Sequence, residues 1–286
     1  NPNASTKLKQ DWNDVKKLQQ LHDEFIENTI SNYYLPLGIA PNFVINNKSF
    51  AIPMAIEESS VVAAASKAAK FWMSRGGFKA RILGTEKIGQ VHFTYTGDTK
   101  ALLSFFDRVK DEILEDLEPH TQSMKSRGGG LTDLILVDKT DSLEHYYQLH
   151  ATFETLDAMG ANFINTCLEQ IAESWQRLYN AEDSFKTIHA EMVVVMSILS
   201  NYVPGCVVRA EVSCPVSELS EADGIDPEVF ANKFVQAVRI AEVEPYRAVT
   251  HNKGIMNGID AVVLATGNDF RAIEAAAHAY AAKDGS

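Results

Sequence analysis

The middle third of the chain alternates between strand-like and helix-like hydrophobic patterns, and this order constrains the fold more than any other feature. Val91, Phe93 and Tyr95 alternate with polar residues, which is the period of a half-buried strand. Further strand-like and helix-like segments follow along the chain. The strands are predicted at 90–96, 131–137, 145–155 and 189–199, and the helices at 98–117 and 161–179. This β-α-β-β-α-β order is typical of a ferredoxin-like sandwich.

The segments on either side of this unit are mostly helical. Helices are predicted at 11–30, 57–75, 226–243 and 270–282, and a hairpin is predicted to join 37–45 to 50–54. A chain of 286 residues has room for one large or two modest domains. We therefore expect the α+β class. A discontinuous helical large domain (1–85 and 200–286) would carry an inserted ferredoxin-like (βαββαβ) small domain at 86–199.

Charge and cysteine content exclude several classes of function. The chain has 38 acidic and 26 basic residues, a formal net charge of −12, which argues against binding of nucleic acid or of an anionic membrane surface. No apolar run approaches the ~20 residues that span a bilayer. Cys167, Cys206 and Cys214 provide neither a disulfide framework nor a metal-binding spacing. We expect a cytoplasmic protein with no metal and with no nucleic-acid or membrane partner.

Several segments are candidates for chemistry, and each has a structural alternative. Gly160 stands between a predicted strand and a predicted helix, where free N–H groups can hold a pyrophosphate, although most such turns bind nothing. Glu58 begins a predicted helix, where the helix macrodipole alone favours an acid. Lys253 lies in a glycine-rich segment from which it could approach a ligand carbonyl, or it is a surface lysine. Asp269 is either a helix cap or a catalytic group, and Arg247 could bind a carboxylate or neutralise the nearby Glu244.

Taken together, four separated segments resemble those of 3-hydroxy-3-methylglutaryl-CoA reductase of the bacterial class II. They are 58–66 (ESSVVAAAS), 157–162 (DAMGAN), 250–258 (THNKGIMNG) and 265–269 (ATGND). Residues 27–30 (ENTI) are similar to an early motif of the family. The resemblance runs from about residue 25 to the end of the chain. It implies reversible reduction of a CoA thioester to mevalonate and free CoA, with two successive hydrides from NADH or NADPH and without a metal.

The resemblance also assigns roles to individual residues. The catalytic positions match Lys253, which would polarise the thioester, and the acids Glu58 and Asp269. Binding of the hydroxymethylglutaryl group is assigned to Ser60, Arg247, Asn201 and Asn257. Binding of the dinucleotide is assigned to Asp157, Met159, Gly160, Ala161, Asn162 and Thr121. The large domain would then bind substrate and the small domain the nucleotide. A homodimer or larger assembly would share its sites between subunits.

The chain departs from the family at a few positions. Ser59 and Ser31 replace a proline and a glycine, and Thr121 stands where NADH-preferring relatives have an aspartate, which leaves the choice between NADH and NADPH open. The family's C-terminal flap, which holds a catalytic histidine, lies beyond the last residue. The chain alone is therefore expected to bind substrate and turn it over slowly. Two alternative functions remain: a non-catalytic module that senses a nucleotide, and a dehydrogenase of another acyl-CoA.

Overall fold

The computed structural model describes residues 4–187, 189–219 and 225–284. The α-helices are α1 (Ala4–Leu8), α2 (Lys16–Asp23), α3 (Ser59–Met73), α4 (Thr99–Lys125), α5 (Ala161–Ala181), α6 (Asp183–Thr187), α7 (Pro227–Val243), α8 (Pro245–Ala265) and α9 (Phe270–Ala281). The strands are β1 (Leu37–Ile45), β2 (Lys48–Ala55), β3 (Lys79–Tyr95), β4 (Gly130–Asp138), β5 (Tyr146–Glu154), β6 (Met192–Leu199) and β7 (Cys206–Glu211).

The chain divides into two compact units. The first contains Asn1–Gly77 and Val249–Asp269, and the second contains Phe78–Ala248 and Phe270–Ser286. The boundaries that the sequence predicts, with 86–199 as the inserted domain, stay a prediction. No helix in the described parts of the chain has the length and apolar character needed to cross a bilayer.

In the first unit, the predicted hairpin is confirmed as β1 and β2, which pair antiparallel. Asn46 and Asn47 form its two-residue turn with φ values of 49° and 64°, the left-handed conformation that asparagine tolerates well. The hairpin packs against α3 and the C-terminal half of α8 around three buried residues, Ala40, Met54 and Ala261. This small core holds α3 and α8 beside each other.

In the second unit, the predicted ferredoxin-like order is confirmed. The sheet order is β4-β5-β3-β6, every neighbouring pair is antiparallel, and α4 and α5 connect the strands as predicted. Buried side chains on one face of the sheet join those of the two helices in one apolar core. Trp175 of α5 is fully buried there, with its ring centroid 5.5 Å from Phe93 and 5.2 Å from Phe105.

Strand β3 is much longer than the predicted 90–96, and β7 is not predicted at all. The first part of β3 pairs with β7 outside the ferredoxin-like sheet, with Arg81 opposite Arg209. Charged residues and Gly84 interrupt the alternation of apolar and polar residues in this part of β3, and Gly89 follows directly before the predicted start at 90. This part of β3 therefore lacks the period-two pattern from which a strand could be predicted.

Two helical expectations need correction. The predicted helix at 11–30 is wrong in extent: α2 ends at Asp23, and Asn28 has a φ of 58°, which is incompatible with a continuing helix. Phe25 and Ile26, which complete the apolar stripe in the sequence, are more than two-thirds exposed. The glycine-rich segment around Lys253 lies outside the predicted helices, but in the structure it is the middle of α8, which Pro245 begins.

Candidate functional site

The candidate catalytic site begins at the N-terminus of α3. Glu58 precedes the first helical residue in an extended conformation, with φ −98° and ψ 115°. Ser60 Oγ donates a hydrogen bond of 2.7 Å to Glu58 Oε1. The carboxylate therefore has one oxygen fixed by a neighbouring hydroxyl, while the end of the helix favours negative charge there.

Lys253 of α8 reaches the other oxygen of the same carboxylate. Its Nζ lies 3.7 Å from Glu58 Oε2, and the two side chains are 67% and 47% exposed. An ion pair this exposed adds at most about 1 kcal/mol to stability, because water screens both charges. The pair therefore contributes little to folding, but it places a cation and an acid side by side where a ligand from solvent can reach both.

A groove of about 460 Å³ lies between α3 and α8 beside this pair. Its volume falls in the range of small-molecule sites. The lining comes from both helices: Glu58, Ser60, Val61, Ala64, Ala65, Ala68, Gly254, Asn257 and Gly258. Small residues dominate the lining, and a methyl group placed on Gly254 or Gly258 would meet no atom within 4 Å. The missing side chains keep this groove open.

The structure thus brings four of the predicted residues together: Glu58, Ser60, Lys253 and Asn257. Asp269 is exposed and directly precedes α9, after the left-handed Gly267 at φ 69°. It belongs to the same compact unit as these four residues.

The two remaining substrate-binding candidates belong to the second unit. Asn201 is exposed in the segment between β6 and β7. Arg247 is half-buried in the first turn of α8, where its backbone N–H donates to Glu244 Oε2 at 2.7 Å. This contact of the backbone caps the helix.

The predicted dinucleotide-binding residues surround the turn between β5 and α5. Gly160 precedes α5 with a φ of 78°, and a methyl group there would lie 2.6 Å from Thr155 Cγ2. Among the described residues, no side chain caps the first turn of α5, which contains Ala161 and Asn162. Asp157 and Met159 are exposed on the turn. Only glycine satisfies both the backbone angle and the close approach.

Thr121 lies elsewhere in the second unit, in the C-terminal part of α4. It is 2% exposed, and its hydroxyl donates to the Glu118 carbonyl oxygen at 3.1 Å. It lines a groove of about 420 Å³ formed by α4 and β4, together with Lys125, whose ammonium pairs with the Glu118 carboxylate. Position 121, where NADH-preferring relatives have an aspartate, thus holds an uncharged and buried threonine.

Sequence reasoning missed two residues that hold the turn before α5. Lys87 Nζ donates to the carbonyl oxygens of Ala158 and Met159, and Glu154 accepts a hydrogen bond from the backbone N–H of Leu156. No local pattern could have identified Lys87, because it lies in β3, about 70 residues before the turn. Within the described residues, no three His, Cys, Asp or Glu side chains gather as a metal site would require.

Comparison with known proteins agrees with the resemblance seen in the sequence. The model of the family described as hydroxymethylglutaryl-coenzyme A reductase matches residues 3–285. A 3-hydroxy-3-methylglutaryl-coenzyme A reductase from Archaeoglobus fulgidus is 39% identical over 263 residues, covering 92% of this chain and 56% of the relative. A probable reductase of the same name from Borreliella burgdorferi is 35% identical over 273 residues, covering 92% of this chain and 58% of the relative.

The solved structures give the same result. A class II 3-hydroxy-3-methylglutaryl-CoA reductase from Streptococcus pneumoniae, bound to NADPH in open conformations, matches with a TM-score of 0.82 and 36% identity. The match covers 93% of this chain and 69% of that one. The chain spans a little more than half the length of the two curated relatives. On the match along almost its whole length, the chain belongs to the hydroxymethylglutaryl-coenzyme A reductase family.

Proposed function

We propose that the protein reduces hydroxymethylglutaryl-CoA to mevalonate and free CoA in a reversible reaction. The observation that supports this most directly is the approach of Lys253 Nζ to within 3.7 Å of Glu58 Oε2, beside an open groove. Such a pair places a positive charge and a proton-exchanging group at one location. Reduction of a thioester requires both, since negative charge develops on the carbonyl oxygen and the product is an alcohol.

In this proposal, Lys253 interacts with the oxygen of the bound acyl group. The ammonium faces an oxygen that becomes more negative along the reaction, so it stabilises the transition state more than the ground state. One well-placed donor of this kind lowers a barrier by roughly 3–4 kcal/mol. Reduced nicotinamide, when bound, supplies the hydride.

Glu58 is proposed to exchange the proton. Its carboxylate already accepts a hydrogen bond from Ser60 and lies beside Lys253, so its orientation is fixed before substrate binds. Asp269 is proposed as the second acid of the cluster, on the resemblance of its segment to the family.

The remaining polar residues are proposed to hold the substrate. Ser60 and Asn257 line the groove and offer a hydroxyl and an amide to the hydroxymethylglutaryl group. Arg247 and Asn201 are assigned to the same group, and the planar guanidinium of Arg247 suits the free carboxylate. The acyl group would thereby be oriented with its thioester toward Lys253.

The turn before α5 is proposed to hold the pyrophosphate of the dinucleotide. Its glycine at φ 78° and the uncapped first turn of α5 fit a phosphate, which binds backbone N–H groups. Asp157, Met159, Ala161 and Asn162 would complete this contact. NADH and NADPH both remain candidates, since Thr121 carries no charge that would repel a 2′-phosphate. Measurement of the Kd of the protein for NADH and for NADPH decides which of the two it prefers.

We further propose that the protein is a homodimer or larger and that it is cytoplasmic. The first unit leaves several large apolar side chains exposed, such as Leu37 at 69% and Ile39 at 64% of β1, and Val249 at 70% of α8. Apolar exposure on this scale is typical of surfaces that bind another protein. Light scattering coupled to size exclusion tests the assembly, and a monomer mass would contradict it. Fractionation of the source cells tests the location.

The proposed reaction is tested by incubating the full-length protein with hydroxymethylglutaryl-CoA and each reduced dinucleotide. We expect loss of the reduced-nicotinamide absorbance and formation of mevalonate and free thiol. The stoichiometry should be two dinucleotides per mevalonate. Binding of both ligands without any oxidation of the dinucleotide would instead favour a sensor, and a product other than mevalonate would favour a different dehydrogenase.

A further inference from the structure

One ammonium group, that of Lys87, contacts three oxygen atoms of the turn that precedes α5. Lys87 Nζ donates to Thr155 Oγ1 at 2.7 Å, to the Ala158 carbonyl at 2.7 Å and to the Met159 carbonyl at 3.0 Å. An ammonium has three N–H donors, so all of its hydrogen-bond donors are engaged by the turn. The lysine is half-buried in β3, 68 residues before Thr155. A residue distant in sequence thus holds the turn from the side of the sheet.

These contacts determine where the backbone of the turn points. Thr155 Oγ1 also donates to the Ala158 carbonyl at 2.8 Å, so the hydroxyl links the lysine to the turn a second time. With the carbonyl oxygens of Ala158 and Met159 directed at Lys87, the chain enters Gly160 in its left-handed conformation. Charge-assisted hydrogen bonds are stronger than neutral ones, so the contacts of Lys87 contribute more to holding the turn than the hydroxyl of Thr155 does.

A carboxylate holds the other end of the same turn. Glu154 accepts hydrogen bonds from the Thr85 hydroxyl and, at 2.6 Å, from the backbone N–H of Leu156. These two contacts, with a further contribution from the charge of Lys87, lower the pKa of Glu154. Leu156 has a φ of 55°, a conformation that is costly for a leucine and that needs such support. Both ends of the turn are therefore fixed by side chains from the sheet.

We propose that Lys87 is a positioning residue for dinucleotide binding. It fixes the turn so that the first N–H groups of α5 face the pyrophosphate of the ligand. Because all three of its N–H groups donate to the turn, Lys87 acts through the backbone and does not itself contact the phosphate. This role rests on the proposed function, which assigns the turn to the dinucleotide.

The test compares the wild-type protein with Lys87→Met, which keeps the length of the side chain and removes its charge. We expect the Kd for the reduced dinucleotide to rise at least tenfold, equivalent to about 1.4 kcal/mol. The Kd for hydroxymethylglutaryl-CoA should change less than twofold. Hydrogen exchange of the backbone amides at 156–162 should accelerate. Lys87→Arg should recover part of the affinity, since a guanidinium can donate to the same oxygens.

Two further variants keep the test decisive. Lys110→Met is the matched control, since Lys110 is also half-buried in the second unit, where its Nζ lies 3.5 Å from Asp133 Oδ1. It should leave dinucleotide binding unchanged. If Lys87→Met does not fold, Thr155→Val removes only one of the three acceptors and should weaken dinucleotide binding in the same selective way.

The outcomes separate this role from the proposed function. Unchanged dinucleotide affinity in a folded Lys87→Met or Thr155→Val protein overturns the role of Lys87 alone. Equal weakening of both ligands also overturns it, because it indicates general destabilisation. A wild-type protein that binds neither NADH nor NADPH overturns the proposed function, and the positioning role with it.

Discussion

The two glycines of α8 that line the groove give the most specific prediction. Replacement of Gly258 by alanine should stabilise the protein and weaken substrate binding at once. A glycine inside a helix costs about 0.5–1 kcal/mol relative to alanine, and a methyl group on Gly258 would meet no atom within 4 Å. The added methyl therefore enters the groove of about 460 Å³ without a clash. The protein gives up helix stability at this position in order to keep the groove open.

The expected size of the effect can be measured by urea unfolding. Gly258→Ala should raise the free energy of unfolding by about 0.5–1 kcal/mol, and Gly254→Ala by a similar amount. The Kd for hydroxymethylglutaryl-CoA should rise severalfold, and a larger side chain in Gly258→Leu should raise it further. Binding of the reduced dinucleotide should not change, because the turn before α5 belongs to the other unit.

Gly76→Ala provides the control for this experiment. Gly76 also has no atom near its added methyl, but its φ is 93°, so alanine is strained there and should destabilise the protein. Replacement of glycine by alanine should thus raise the free energy of unfolding at position 258 and lower it at position 76. A loss of stability in Gly258→Ala, or unchanged substrate affinity in that variant and in Gly258→Leu, would show that Gly258 does not keep the groove open for substrate.

Three other predictions concern the turn before α5 and the acid of the groove. Gly160→Ala should lower the free energy of unfolding by about 1–3 kcal/mol and abolish dinucleotide binding, because alanine is strained at φ 78° and its methyl group meets Thr155. Calorimetry on the folded variant measures both the stability and the binding. Because the folded-state pKa of Glu154 lies below its ordinary value of 4.5, its stabilising effect is present above that pH and is lost as pH falls through the folded pKa. The stability difference between the wild type and Glu154→Gln should therefore shrink below about pH 4.5 in urea titrations, and a constant difference would contradict this. Glu58→Gln should lower kcat with little change in substrate Kd, whereas loss of substrate binding alone would argue for a binding role.

The ferredoxin-like unit could be predicted from the sequence because its elements have strong and regular hydrophobic periods. The sheet buries one face under α4 and α5, so apolar residues such as Phe93 and Tyr95 must recur at every second position. The hairpin of β1 and β2 is predictable for a similar local reason, since its turn consists of Asn46 and Asn47. Both predictions use patterns that are visible within short stretches of the sequence, even though the strands of the sheet pair over long distances along the chain.

The parts that the sequence mispredicts have weak local patterns. β7 pairs with the beginning of β3 across more than a hundred residues, and its own pattern is only six residues long. The helical state of the segment around Lys253 was missed because Gly254 and Gly258 lower helix propensity. Packing of Ala261 and Met256, both buried, overrides that propensity in the structure.

The candidate site, too, could be predicted from the sequence only in part. Lys253 and Glu58 were identified from motifs, but the sequence could not give their separation of 3.7 Å, which depends on how α3 and α8 pack. Lys87 was missed altogether, because nothing near it in sequence shows that its ammonium would meet a turn about 70 residues later. Motifs therefore locate the proposed catalytic groups, whereas Lys87, which holds the proposed dinucleotide-binding turn, emerges only from the fold.

The most direct test of the central claim measures turnover and substrate binding separately for Lys253→Ala in the full-length protein. Lys67→Ala, which removes an exposed lysine of α3, is the matched control. We expect Lys253→Ala to lower kcat by roughly 10²–10³-fold, while the Kd for hydroxymethylglutaryl-CoA changes only a few-fold. Turnover within a few-fold of the wild type, or a loss explained wholly by weaker substrate binding, would contradict a role for this ammonium in stabilising the transition state.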